Sequence, residues 1–239
     1  WYTEANRLIR AQTDLVINHT TARMPGTSID QVLRYMRETS EPVDMISLNT
    51  GSITLNTPLV NGTRQTVAIP NSYEDIRQTV FICRERGIIP EPTVLDTGFL
   101  SNVVTLVQDG LLPSPRYLLV EFSGRFGDNF LIMPGTPQSY FYLTGCVREI
   151  FPKATWIAHG IEESVFTIAS LAITTGAHVR VGFEDRTTLI DGSLATSSAD
   201  YVAWVVRVAR AHGREPATPQ EARQLLGLPH HPSEIAEGE

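Results

Sequence analysis

Apolar and polar positions alternate along this chain in two periods that follow one another repeatedly. Short apolar runs of four to six residues are each followed by a longer segment with apolar positions at helical spacing, the pattern of βα units around a parallel sheet. Six runs read as strands: Asp14–His19, Met45–Leu48, Thr93–Asp96, Tyr117–Phe122, Ala154–His159 and the run containing Arg180. Between them, helices are expected at Ser28–Glu38, Ser72–Arg86, Ser101–Gln108, Pro137–Ile150, Ile161–Thr174 and Ala199–Ala211, and the chain opens in a further helix at Tyr2–Ala11. Ser72 with Asp75 three residues on is a start signal and Gly87 a stop. Thr218, Pro219 and Glu221 open a last helix in the same way. Turns carry Pro25 and Gly26 after the first strand, and Gly124, Gly127, Pro134 and Gly135 after the fourth. Periodicity alone leaves two architectures open, a doubly wound sheet of six strands or a (β/α)8 barrel that lacks two.

Composition narrows the function classes. The net charge of −7 and the lack of any Lys/Arg-dense stretch argue against a nucleic-acid partner. No apolar run approaches the roughly 20 residues that span a bilayer, so no membrane role is expected and a cytoplasmic location is. Cys83 and Cys146 have no metal-ligand spacing and read as buried thiols in a reducing compartment, with a disulfide between them as the alternative. Beyond Leu228 no apolar face continues, which gives one domain over 1–228 and a loose tail over 229–239 carrying His230 and His231. The first residue is Trp1, and an incomplete segment is expected.

The richest stretch is GAHVRVGFED, residues 176–185. Extended backbone through it would put positions 180, 182 and 184 on one face, so Arg180 and Glu184 reach the end of a strand together. Such a pair is either a structural ion pair or part of a site assembled from strand ends.

That block, continued by DGSLATSSADYV and EARQLLGL, resembles the β-keto acid cleavage enzymes, the family typified by the 3-keto-5-aminohexanoate cleavage enzyme. VINHTTARMPG at 16–26, SLNTGSITL at 47–55 and GIIPEPTVLDTGFL at 87–100 extend the resemblance in order through the chain. It implies an α/β fold, a (β/α)8 TIM barrel, present here as about six βα units that begin after the family's second strand. It also implies a zinc-dependent (or other divalent metal-dependent) reaction in which a β-keto acid and acetyl-CoA give acetoacetate and a new acyl-CoA, in a homo-oligomer, a tetramer by resemblance. By the same resemblance Glu184 is the carboxylate metal ligand, Arg180 and Asp185 are catalytic, Asp96 is a further active-site acid, and Thr20, Thr21, Asn49 and Thr50 contact substrate.

The chain departs from the family in places. The family's other zinc ligands form a His-x-His pair, and no such pair occurs among His19, His159, His178, His212, His230 and His231. His159 is a candidate metal ligand in their stead, set against the reading of a hydrogen-bonded structural histidine. HGIEES at 159–164 replaces a Gly-Arg step, and Ser198 stands near a family Asn. Two alternatives therefore accompany the enzyme reading: a non-catalytic or small-molecule-binding relative that has lost the zinc site, and a metal-dependent aldolase-like lyase.

Overall fold

In a computed structural model the chain is described over residues 2–23, 26–41, 43–56, 62–63, 66–126, 129–130 and 132–228. The 229–239 tail, Pro25 and Gly127 lie outside the described residues. The helices are α1 (Tyr2–Gln12), α2 (Ile29–Glu38), α3 (Tyr73–Arg86), α4 (Thr97–Gln108), α5 (Pro137–Ile150), α6 (Val165–Thr174), α7 (Ser198–Ala211) and α8 (Pro219–Leu226). The strands are β1 (Asn18–His19), β2 (Met45–Asn49), β3 (Ile53–Asn56), β4 (Thr66–Ile69), β5 (Ile89–Val94), β6 (Tyr117–Ser123), β7 (Arg125–Phe126), β8 (Asn129–Phe130), β9 (Thr155–Ile161) and β10 (His178–Arg180).

Six strands form one sheet in the order β1-β2-β5-β6-β9-β10, parallel at every pairing, and β3/β4 and β7/β8 are separate antiparallel hairpins. Strand order follows chain order, as a barrel requires. Among the described residues the sheet stops at β1 on one side and β10 on the other, and these two edges are not paired. The architecture is a half-barrel.

Strand alternation divides the sheet into two faces. Leu118, Val120 and Phe122 of β6 and Trp156 and Ala158 of β9 pack outward against α4, α5 and α6 in the main core. A second cluster joins Ile17 and Ile46 to Leu33 and Met36 of α2 and Cys83 of α3. The intervening residues, among them Ser47, Glu91, Tyr117, Glu121 and His159, face the concave side. There the sheet carries polar groups instead of the apolar fill of a closed core.

Local signals set the helix ends. Ser72 and Thr218 both form complete capping boxes, and Gly87 and Gly227 end their helices in the left-handed conformation at φ 67° and 73°. Strand lengths differ from the apolar pattern where side chains intervene. β1 is two residues rather than six, because the Ile17 N–H is taken by the Asp44 carboxylate at 2.7 Å before a ladder begins. β5 begins at Ile89 and includes Pro90 and Pro92, which the pattern excluded. Its ladder with β6 is registered only at Thr93 and Val94, beyond both prolines. Asp96 is therefore the N-cap of α4 rather than a strand end. The extended reading of 180–184 is corrected too: β10 ends at Arg180, and the segment after it turns. Likewise Ile161 ends β9, and a single 3₁₀ turn at Glu162–Ser164 precedes α6.

Candidate active site

The parallel register lines up Glu121, His159 and Arg180 across β6, β9 and β10, and all three face the concave side at the C-terminal end of the sheet. Adjacent paired side chains on one face are the natural place for polar contacts, and here they form two groups.

The first group is buried. His159 is 2% exposed and Asp185 4%. The His159 Nε2–H meets Asp185 Oδ1 at 2.7 Å, and Nδ1 lies 3.3 Å from Glu121 Oε2, off the line of a hydrogen bond. Burial works against a charged imidazole, but the Asp185 hydrogen bond and the Glu121 carboxylate outweigh it, so His159 keeps its proton to a higher pH than an ordinary histidine. The backbone fixes Asp185 as well, since its carbonyl accepts from Glu162 N at 2.8 Å.

The second group is open. Arg180 Nη2 pairs with Glu184 Oε1 at 3.0 Å, with the side chains 39% and 75% exposed. Adjacent in sequence, Glu184 and Asp185 thus sit in opposite environments, one in solvent and one sealed.

Behind the mouth lies a cavity of about 770 Å³ that reaches from the β1 edge to the β10 edge. Ser47, Glu91, Tyr117 and Arg180 line its inner wall, with Tyr2 of α1 and Val202 of α7 at its sides. Glu91 is 3% exposed and accepts from Asn18 Nδ2 at 3.0 Å. Burial pushes its carboxyl above the ordinary range, opposed by Tyr117, Asn18 and the charge of Arg180. Arg180 therefore borders both the cavity and the mouth.

The other residues expected at the site have local duties. Asp96 is exposed and accepts from Gly98 N and Phe99 N at 2.7 and 3.0 Å, which caps α4. Thr50 is fully buried and gives its hydroxyl to the carbonyls of Thr93 and Phe99. Thr21 bonds Ser47 through both its N–H and its hydroxyl. Thr20 is exposed at the cavity rim, and Asn49 is half-buried at the end of β2. His19 borders the cavity near the β1 edge, bonded to Asn6 at 2.8 Å and stacked on Tyr35. The arrangement brings together Arg180 with Glu184, and Asp185 with His159. Glu121, Glu91 and Tyr117 went unmarked in the sequence, although a lone carboxylate inside the apolar strand YLLVEFS was a signal.

A metal ion, implied by the resemblance, needs about three converging protein donors. Among the described residues no group of three or more His, Cys, Asp or Glu is arranged to hold one. Glu184 is engaged by Arg180, and the His159 ring is flanked by two carboxylates. The donor set does not by itself fit a zinc centre.

The sequence model of the β-keto acid cleavage enzyme matches residues 1–228. The chain belongs to this family. It is 35% identical over 162 residues to the 3-keto-5-aminohexanoate cleavage enzyme of Fusobacterium nucleatum, a match covering 66% of this chain and 54% of that protein. It is 26% identical over 236 residues to the 3,5-dioxohexanoate:acetyl-CoA acetone transferase of Paraburkholderia graminis, covering 92% of this chain and 74% of that one. Against the first of these, as against a second 3-keto-5-aminohexanoate cleavage enzyme, from Acetoanaerobium sticklandii, the matched segment spans about half the relative's length. Among solved structures, the ternary complex of ObcA with C4-CoA adduct and oxalate superimposes with a TM-score of 0.71 at 15% identity, over 94% of this chain and 55% of that one. That likeness is one of fold. In (β/α)8 barrels in general, sites are assembled at the C-terminal ends of the strands.

Proposed function

We propose that this β-keto acid cleavage enzyme chain carries the Arg180–Glu184–Asp185 side of a site that exchanges acyl groups between a β-keto acid and acetyl-CoA. The reaction balances as R–CO–CH2–COO⁻ plus CH3–CO–SCoA giving R–CO–SCoA plus CH3–CO–CH2–COO⁻. One carbon–carbon bond breaks and one forms, and the thioester passes from one acyl group to the other. The observation that carries the reading is that an accessible guanidinium, paired with Glu184, and a carboxylate sealed on His159 both sit at the same C-terminal end of the sheet.

Each group has a part in that chemistry. Arg180 pairs through Nη2 alone among the described residues, so its remaining N–H groups are available to an anionic carboxylate or a developing oxyanion. Asp185 is the base that takes a proton as the attacking carbon or thiol is activated. Glu184 is the one carboxylate of the mouth exposed enough to turn toward a cation, and the other donors of a three-ligand metal site would have to come from outside the described residues. The second reading is a barrel relative that binds a small molecule without turning it over.

The deciding experiment incubates the protein with acetyl-CoA and a panel of β-keto acids (3-keto-5-aminohexanoate, 3-oxoadipate and 3,5-dioxohexanoate) and follows products by mass. Acetoacetate and a new acyl-CoA should appear in equal amounts and vanish with Asp185→Asn. Binding of a keto acid by calorimetry with no product from any of them would replace the enzyme reading by the binding one.

A further inference from the structure

Asp185 is held at more points than a solvent-exposed loop carboxylate needs. Its carbonyl accepts from Glu162 N at 2.8 Å, its N–H reaches Gly182 O at 3.3 Å, and its Oδ1 is fixed by His159 Nε2 at 2.7 Å. Glu162 donates from φ 56°, a left-handed conformation that side chains rarely adopt, and it is the one non-glycine residue with positive φ among those described. Local strain is thus stored where the Asp185 peptide is anchored. On its other side the His159 ring faces Glu121 at 3.3 Å, and that strand neighbour is set by the β6–β9 register. Oδ2 of Asp185 has no protein partner among the described residues.

We infer that His159 is a positioning residue: it links Asp185 to Glu121 across β9 so that one carboxylate oxygen is fixed and the other, Oδ2, is aimed at the mouth. The inference rests on the functional reading of Asp185 as the base. A carboxylate free to rotate offers its proton-accepting oxygen in the reactive geometry only part of the time, and a buried donor removes that freedom. Glu121 faces the imidazole from behind at 3.3 Å, a charge contact rather than a hydrogen bond, and favours the ring orientation that keeps Nε2 on Asp185. No role for His159 as a metal ligand is needed, because both nitrogens already face carboxylates.

Two variants separate holding Asp185 from filling space. His159→Gln keeps an N–H donor where Nε2 stands, toward Asp185, whereas His159→Asn keeps one where Nδ1 stands, toward Glu121. In the acyl-exchange assay the Gln protein should retain kcat within about threefold, while the Asn protein should lose roughly 10- to 100-fold in kcat at little changed KM. Equal losses in the two, or losses that follow their melting temperatures, would overturn the inference.

A second measurement does not depend on turnover. In protein labelled with ¹⁵N-histidine, the His159 Nε2–H should give a slowly exchanging resonance that disappears in Asp185→Ala, which removes the acceptor, and persists in Glu121→Gln. If Asp185→Ala leaves that resonance unchanged, the link does not exist and the inference falls. If the resonance behaves as expected but wild-type protein turns over no keto acid, the functional reading fails alone and the fixing of Asp185 stands.

Discussion

Arg223 of α8 and Asp44, just ahead of β2, form a two-pronged ion pair at 2.8 and 3.2 Å, although 179 residues separate them and each side chain is only 3% exposed. Asp44 also accepts from Arg10 of α1 at 2.6 Å and from Ile17 N at 2.7 Å. One carboxylate thus ties the first helix, the first strand and the last helix to the foot of β2. Removing Arg223 strands part of a buried charge, so Arg223→Met should destabilise the protein by ~3–5 kcal/mol, less whatever Arg10 recovers. Urea unfolding measures the loss, and a change under about 1 kcal/mol would mean that α8 is not held by this pair.

The same carboxylate sets an acid limit. Burial raises the Asp44 carboxyl, but Arg223, Ile17 N–H and Arg10 together outweigh it and hold it below its ordinary value of 3.8. A depressed carboxyl contributes stability that is fully present above its unfolded value and is lost as pH falls through the lower folded one. Unfolding midpoints should therefore fall steeply below about pH 4, and Asp44→Asn should be less stable at neutral pH yet lose less on acidification. Parallel pH profiles for the two proteins would contradict the assignment.

Asp96 offers a sharp contrast with Asp185. Its Oδ1 caps α4 through Gly98 N and Phe99 N, so Asp96→Ala should cost about 0.5–2 kcal/mol of stability through the lost cap. Asp96→Asn, which preserves a cap acceptor, should keep acyl-exchange kcat within about twofold, whereas Asp185→Asn should lower it by roughly 10²–10⁴-fold. A large kcat loss in Asp96→Asn would return Asp96 to the catalytic set.

Zinc content separates the residues of this chain from any supplied elsewhere. With Glu184 as the exposed carboxylate and no further donors converging on it among the described residues, the 239-residue chain should purify with well under one zinc per molecule by elemental analysis. A stoichiometric ion, lost in Glu184→Gln, would mean that donors rearrange around Glu184 on binding.

The two cysteines should react unequally. Burial pushes the Cys83 thiol up to about 12, while Cys146 is half-buried on α5. A thiol reagent should label one cysteine in the native protein and both after denaturation, with the label on Cys146 by peptide mapping. Native labelling at Cys83 would show that the packing of α2 against α3 opens readily.

What the sequence by itself determined about this protein is what depends on near neighbours. Helix ends at Ser72, Gly87 and Thr218 follow from caps within one turn, and α5 spans Pro137–Ile150 as its apolar spacing requires. The six parallel strands were legible because each apolar run is bounded by turn residues, and the resemblance at 176–185 was carried by contiguous residues. Tertiary structure decided the rest. β1 is short because a carboxylate 27 residues away takes the Ile17 N–H, and β5 tolerates Pro90 and Pro92 because its β6 ladder starts after them. The pairing of His159 with Asp185, and of Glu121 behind it, depends on which strands lie side by side and in what register. That is fixed by the helices packed on the outer face of the sheet. Alternation told which side of a strand each residue takes; only the assembled sheet could say that Glu184 faces solvent while Asp185, one residue later, is sealed against a histidine.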